Sequence, residues 1–379
     1  MHRDPRHTAA GAARHSGVAL LLLLIISAAV AGLAAAYLAT TSVRMAASNN
    51  YAAAIDLAYA AESGVHHGLC LLAENPSLLS GSNTTPLGPY AGRTGGPTYT
   101  ISSLSIGNNQ YRLTGAGVLG TSKRTCAAVA RLDNTFVQTL VSLGPHMYWR
   151  LGDANGIYAA EQMVNYGGVY AGSVLLGQTG ALTGDAGASV KFDGSRTRVV
   201  IAHDPSMAVA QGSYVLWYYD NSPFNNEALL SKEAQGRGTG GFLSIGAENG
   251  QIHVNLKSAS ADNKISITGL SNDAWTLLTV TFGPAGLKLY VNGQLAGTNA
   301  YTGGMTNNSE PLVLAASQSS RDAADLPYLP YGFYSAGLTN FFSGRLEEVA
   351  FFNRALSATE VSRLYAARRA MARVLQWQT

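Results

Sequence analysis

The chain has 379 residues, 47% of them apolar and only 12% charged, with 42 glycines, 19 tyrosines, two cysteines and a formal net charge of +3. So small and dispersed a positive charge gives no reason to expect a nucleic-acid partner. The length accommodates a membrane anchor and two ectodomains of ordinary size, and low charge with abundant glycine and tyrosine suits an outward-facing β-protein.

Residues 1–17 form a basic leader in which Arg3, Arg6 and Arg14 are offset only by Asp4. Val18 to Leu38 follows without a single charge. A helix of about 21 residues at ~1.5 Å per residue spans ~30 Å, the hydrocarbon thickness of a bilayer. The positive-inside bias then predicts a single pass, with the N-terminus cytoplasmic and the rest outside. A cleavable secretory signal starts in the same way, but its apolar centre runs only about 7 to 15 residues. Here Ala46, Ala47, Tyr51, Ala54, Ile55, Ala58, Ala61 and Val65 continue at helical spacing, which favours a retained anchor and one helix over 18–73. Gly64 and Gly68 are tolerable within it. His66 and His67 are adjacent on that helix, point about 100° apart and make a poor metal pair.

Pro76, Pro86, Pro89 and Pro97, with five glycines between residues 81 and 96, predict a loop over 74–97. Tyr99 to Ser102, Tyr111 to Thr114 and Thr125 to Ala130 then read as short strands of a small antiparallel meander that ends near residue 133. Cys70 and Cys126 can pair in an oxidising compartment, tying the end of the helix to a strand. The alternative is a buried free thiol.

From about Leu140, apolar alternation and regularly spaced turns predict an all-β sandwich. The clearest signal is Leu287 to Leu295, where alternating residues run into Asn292-Gly293, a pair that tolerates the positive φ of a type I′ hairpin. Trp275 to Phe282 supplies the preceding strand. Two antiparallel sheets packed face to face satisfy such an array. Gly236 to Gly241 matches a dinucleotide-binding pattern by letter, but no helix follows it, so it reads as a hairpin loop. His203-Asp204 has no companion serine or cysteine in a recognisable nucleophile setting. Tyr328, Tyr331, Phe333 and Tyr334, interleaved with Pro327 and Pro330, offer ligand-stacking platforms for sugar rings or an apolar protein contact; alternatively they cover a sheet edge. Ser357 with Glu360 forms a capping box for a short helix through Leu364 and Tyr365. Arg363, Arg368, Arg369 and Arg373 continue along it as a solvated C-terminal face in preference to a binding site, and 368–379 reads as a basic tail.

Two resemblances extend this reading. Arg14-His15-Ser16-Gly17 before the apolar run, Arg44 to Asn49 after it and Ala60 to Gly64 further on resemble type IV pilin-like proteins, in particular the PilX group of minor pilins. The resemblance implies prepilin-peptidase cleavage after Gly17, leaving Val18 as the mature N-terminus, and a long helix leaning on a meander. The glutamate that major pilins carry five residues into the mature chain is here Leu22. The second resemblance is to laminin-G-like, concanavalin A-like jelly-roll domains, over about Pro145 to Tyr365. It is carried by Tyr148 to Asp153, Gly180 to Asp185 leading into Ser189 to Gly194, Leu289 to Gly293 and Gly344 to Ser357. It implies a structural Ca²⁺ held by Asp153 or Glu161, by a group near Asn165 and by Glu347, where the family usually has aspartate.

The expected fold is therefore mainly β. A transmembrane, pilin-like helix (18–73) with a small meander (74–133) carries a two-sheet jelly roll (140–367) with a short C-terminal helix. The expected function is non-enzymatic: a bacterial inner-membrane protein displaying a domain that binds glycans or surface proteins. A contrasting reading is a structural minor subunit of a pilus or secretion pseudopilus, whose partners are the other pilus subunits. A third is a glycoside-active enzyme, which needs two carboxylates across a cleft; the sequence nominates no such pair. N-terminal sequencing of the membrane-extracted protein is expected to begin at Val18, and an intact leader would separate the chain from pilus-type processing.

Overall fold

The computed structural model describes residues 12–74, 76–79, 85–185, 187–221, 226–268, 270, 272–320 and 337–378. Helix α1 (Ala12–Glu74) is unbroken over 63 residues, roughly 95 Å at helical rise. Its N-terminal part is long and apolar enough to cross a membrane, with none of the most apolar window buried. Burial begins only toward its other end, where Leu57, Ala60, Ala61, Val65 and Leu72 meet a sheet.

That sheet has five strands: β1 (Leu87–Ala91), β2 (Thr98–Gly107), β3 (Gln110–Leu119), β4 (Ser122–Asp133) and, beside β4, a C-terminal strand, Met371–Gln378. The first four form the expected meander, longer than the sequence reading drew it. β1 falls in the stretch read as loop; its Pro89 lacks an N–H, which an edge strand tolerates. Ile101, Leu113, Ala128, Ala130 and Leu132 pack with Ala61, Val65 and Leu72 in one core. The helix and sheet backbones nearly touch. A Cβ placed on Gly115 would lie 2.0 Å from the Ala61 carbonyl oxygen, and one on Gly117 would lie 2.4 Å from that of Leu57. Gly64 faces the same seam, its own Cβ position 2.9 Å from the Gly115 Cα.

Residues 371–378, read from the sequence as part of a basic tail, are thus a strand. Met371 pairs with Asp133 and Gln378 with Ala127. The preceding helix stops at Ala366, so Arg373 sits on the strand, 3.3 Å from Asp133, while Arg368 stacks on Tyr365 at 3.6 Å. Trp377 packs near His66 of α1, ring centroids 5.5 Å apart. Everything between β4 and this strand is therefore spliced into the small sheet.

The spliced part is a jelly-roll sandwich of two eight-stranded antiparallel sheets. The front sheet runs, in spatial order, Asp262–Ile267, Gln251–Lys257, Phe242–Glu248, Glu227–Lys232, Leu312–Leu314, Arg198–Ile201, Gly168–Ala171 and Tyr158–Ala159. At the centre of the back sheet, Gly212–Asp220 lies between Trp275–Phe282 and Ser343–Phe352. Inward residues of both, among them Leu243, Ile245, Val254, Tyr214, Leu278 and Phe351, form the main core. The outer face of the back sheet is covered as well: Trp217, Leu277, Tyr290 and Phe352 pack against Phe136 and Leu140 of α2 (Phe136–Ser142) and Val361 and Leu364 of α3 (Ala358–Ala366). The Ser357–Glu360 capping box is formed, and Asn292 and Gly293 both have positive φ, 49° and 80°, as the hairpin requires.

Asn134 ties the two modules together. Its side-chain amide donates to the Thr183 and Arg368 carbonyls, each at 2.9 Å, while its oxygen accepts from the Phe136 N–H at 2.8 Å. The expectation from the helix–sheet seam is that Gly115→Val costs about 1–3 kcal/mol. It should lower the melting temperature of the detergent-solubilised chain and expose residues 57–72 to protease.

Candidate functional site

With helices over the back sheet, a polar outer face remains on the stretch of the front sheet made by Phe242–Glu248 and Gln251–Lys257, while Val200 and Val313 further along that sheet are covered by Leu338 and Phe341. Alternation aims residues at it. In Gln251–Lys257, Ile252, Val254 and Leu256 go to the core, which turns His253, Asn255 and Lys257 outward. On the neighbouring strand Ser244, Gly246 and Glu248 alternate in the same way with core residues Leu243, Ile245 and Ala247. The register sets Gly246 opposite His253 and Ser244 opposite Asn255. These residues, with Glu227, Glu233, Lys264, Ser317, Asn226 and Asn340, line a pocket of about 190 Å³.

Two ion pairs brace its walls. Lys257 Nζ lies 2.5 Å from Glu233 Oε2, and Lys264 Nζ lies 2.8 Å from Glu248 Oε2. Ser317 Oγ also donates to Glu233, at 3.2 Å. Two other buried atoms on the same pocket have no hydrogen-bond partner, His253 Nδ1 and Asn255 Oδ1; Glu227 Oε2 is also unpartnered but belongs to a side chain on the inner face, where Glu227 pairs with the core residue Ala247 and meets Asp220 and the Ser343 backbone amide. Glu227 and Asn255 are 8% and 9% exposed. Buried polar atoms are ordinarily paired, and leaving one unpaired costs about 1–3 kcal/mol, so two in one pocket mark a place suited to a polar ligand. Burial, helped by the charge of Asp220 and opposed by the Ser343 backbone amide, pushes the Glu227 carboxyl up to about 7. Burial, reinforced by Lys264, holds His253 down to about 4, so its ring is neutral.

The positions chosen from sequence fare differently. Glu161 spends both oxygens on backbone amides, those of Tyr148 and Met163 at 2.7 and 2.8 Å and those of Val164 and Tyr166 at 2.6 and 3.3 Å. Asp153 accepts from the Tyr170 hydroxyl at 2.7 Å. Glu347 is buried and accepts from the Ala181 N–H at 2.7 Å, while Asn165 occupies a positive-φ turn at 59°. The three carboxylates are engaged by N–H and O–H donors, Asp153 also by the Ala160 N–H at 3.4 Å, next to Glu161, which leaves few free oxygens for a cation that wants several around it. No group of three His, Cys, Asp or Glu side chains able to hold a metal occurs among the described residues. Cys70 and Cys126 are unpaired: Cys70 is exposed, while Cys126 is buried in the small-sheet core, and burial raises its thiol. Gly17 and Val18 lie within unbroken α1. Tyr328, Tyr331, Phe333 and Tyr334 lie outside the described residues.

The structure sets a serine beside Asp204, but the histidine it meets is His146 and not His203. Ser206 Oγ lies 2.7 Å from His146 Nε2 and 2.5 Å from Asp204 Oδ1. Asp204 caps the short turn Pro205–Met207, and the serine donates to that carboxylate, an arrangement of a cap. Lys232, fully buried, is held by the Glu310 carbonyl and by His203 Nδ1 at 3.0 Å.

Residues 193–362 match the laminin-G-type family model described as the concanavalin A-like lectin/glucanases superfamily, a span that contains every lining residue named for the pocket. No curated protein sequence matches the chain. Among solved structures, the binding domain of botulinum neurotoxin serotype D/C is similar at 16% identity and a TM-score of 0.43, over 60% of this chain and 53% of that one. The binding domain of botulinum neurotoxin DC in complex with rat synaptotagmin II is similar at 13% and 0.43, over 60% and 52%. Domain 4 of AbnA, an extracellular arabinanase from Geobacillus stearothermophilus in complex with arabinotriose, is similar at 13% and 0.40, over 62% and 98%. The chain thus spans about half the length of the toxin binding domains it matches.

Because the folded-state value of Glu227 lies above the ordinary 4.5, its ionisation disfavours the fold. The associated stability is full below about pH 4.5 and is lost as pH rises through about 7. Glu227→Gln should therefore be more stable than wild type above pH 7, by on the order of 1 kcal/mol. Thermal melts across this range should show the two curves converging at low pH; parallel curves would contradict the assignment.

Proposed function

We propose that this protein is a single-pass, membrane-anchored display protein whose jelly roll recognises carbohydrate through the polar pocket of its front sheet. The observation that carries this reading is the pairing of a polar stretch of the front sheet's outer face with two buried, unpartnered polar atoms, His253 Nδ1 and Asn255 Oδ1. A sugar's hydroxyls both donate and accept, and so can satisfy such atoms. The family match over 193–362, described in terms of lectins and glucanases, supports the same ligand class. The reading is of recognition without turnover, in a bacterial inner membrane, with the basic leader inside and everything beyond Leu38 outside.

The pilin-like part of the reading rests on the Gly17-Val18 junction and on α1 seated against a small sheet. A prepilin peptidase would cut after Gly17, and subunits of a pilus or pseudopilus would be the neighbours of α1. A purely structural subunit is the second reading, favoured by the long stretch of α1 that stays exposed, Val43, Met45, Tyr51 and Tyr59 included, and that suits packing against other helices.

A glycan array probed with the full chain in detergent separates the two. Specific, saturable binding is expected, and Asn255→Ala or His253→Ala should weaken it about tenfold, the effect of one or two lost hydrogen bonds. Uniform blanks would favour the structural subunit.

A further inference from the structure

Helices α2 and α3 cover only part of the back sheet's outer face. Two residues along the strands from the covered Trp217 and Leu277, alternation brings Tyr219 and Trp275 to that same face. The register sets Trp275 opposite Tyr219, Tyr219 opposite Arg345 and Arg345 opposite Lys191. Leu346, Val190 and Phe192 go to the core, which turns Arg345 and Lys191 outward as well. The Arg345 guanidinium lies 4.0 Å from the Tyr219 ring centroid and 5.4 Å from that of Trp275, and the two rings, both half-buried, are 5.6 Å apart. Stacking holds the guanidinium flat. One of its nitrogens, Nη1, donates to the Thr179 carbonyl at 2.9 Å, and its other donors meet no acceptor among the described residues. Neither Arg345 nor the exposed Lys191 has an ion-pair partner there. The nearby acids are engaged elsewhere. Glu347 is buried and accepts from the Ala181 N–H at 2.7 Å, and burial pushes its carboxyl up to about 7. Asp193 accepts from the backbone amides of Ser195, Arg196 and Thr197 and lies 3.7 Å from the Arg196 guanidinium. Asp273 lies 3.4 Å from the Tyr219 hydroxyl.

From this row we infer a second ligand site, separate from the front-sheet pocket, that takes an acidic glycan: a uronic acid packs its apolar ring face on Trp275 and directs its carboxylate to Arg345. A guanidinium fork matches a carboxylate in two parallel hydrogen bonds, and one already held against an aromatic face loses little freedom in making them. Trp275 adds a rigid apolar surface. The row from Trp275 to Lys191 crosses three strand spacings, about 14 Å, so Lys191 is placed to meet the carboxylate of an adjacent unit of the same chain. A uronic acid carries its charge and its apolar face on one stiff ring, which is what the row offers partners for. A neutral sugar leaves both cations unused. An acidic peptide brings carboxylates on flexible stems and no ring for Trp275. A nucleic acid draws its affinity from many phosphate contacts, and two cations supply too few.

Isothermal titration of the full chain in detergent tests this, with a galacturonic acid trimer, its fully methyl-esterified counterpart and a triglutamate peptide as probes. The acid trimer should bind about tenfold tighter than its ester, which keeps the rings and removes the charge. Arg345→Gln should weaken the acid trimer about tenfold, the effect of a lost charge-assisted hydrogen bond, and leave the ester unchanged. Lys191→Gln, at an exposed position where folding is not at stake, should weaken it about threefold. A melt confirms that each variant is folded. Equal binding of acid and ester by wild type, or no binding of the acid trimer, would overturn the site. So would acid-trimer binding that survives both substitutions but is lost in Asn255→Ala, since the ligand would then sit on the front sheet. Triglutamate binding as tightly as the acid trimer would overturn the assignment of a glycan. None of these outcomes touches neutral-glycan recognition at the front sheet, which the array decides on its own.

Discussion

The contact on which the whole molecule stands is the seam where β3 meets α1. There the strand carries glycine at 115 and 117 because a Cβ would enter the backbone of the helix at Ala61 and Leu57. Close approach lets a sheet with few large side chains bury Ala61, Val65, Ile101 and Leu113 completely, and small residues serve here for the reason they serve wherever two backbones must meet. Among the described residues α1 has no comparable partner nearer its N-terminus, so this seam is what couples the apolar rod to the folded part. The jelly roll has a large core of its own; the small sheet does not, and it depends on the helix.

The sandwich illustrates how covering one face defines the use of the other. α2 and α3 take up the apolar outer side of the back sheet, with Trp217 between Phe136 and Tyr365. The front sheet keeps a polar outer side along Phe242–Glu248 and Gln251–Lys257, whose strands obey the alternation of a sheet with one wet face, while Leu338 and Phe341 cover Val200 and Val313. Within that wet face the acids and lysines are mostly paired off, so the character of the pocket is set by the few groups left over. His253 and Asn255 are the main ones; Glu227, at the start of its strand, turns instead to the inner side, within the influence of Asp220 at the end of a back-sheet strand.

Much of the fold was legible because its signals are local. Asn292-Gly293 with its alternating flanks, the Ser357–Glu360 box and the Val18 to Leu38 run each state their structure within a few residues. The strand at 371–378 was not, because its partner is β4, far away in sequence, and its arginines outweighed the alternation to the eye. β1 was hidden by Pro89, an edge-strand proline being indistinguishable from a loop proline without the neighbour in view. The pocket was half visible. His253, Asn255 and Lys257 alternate with Ile252, Val254 and Leu256, which announces a polar face. That Glu233 joins them, paired with Lys257, follows only from the folded chain. The surroundings of the acids Asp153, Glu161 and Glu347 were not legible for the converse reason: their nearby N–H and O–H donors come together only once the chain is folded.

The splice of the jelly roll between β4 and the C-terminal strand has a mechanical meaning. Asp133 and Met371 are paired neighbours, so a pull on the jelly roll draws both of its connecting strands from the same end and in the same direction. The two strands then travel as one ribbon, and resistance falls on the ladder between β3 and β4, which is registered from Gln110–Arg131 to Leu119–Ser122. Tension along the strands loads those hydrogen bonds together instead of peeling them one at a time, the orientation in which a sheet holds best under traction.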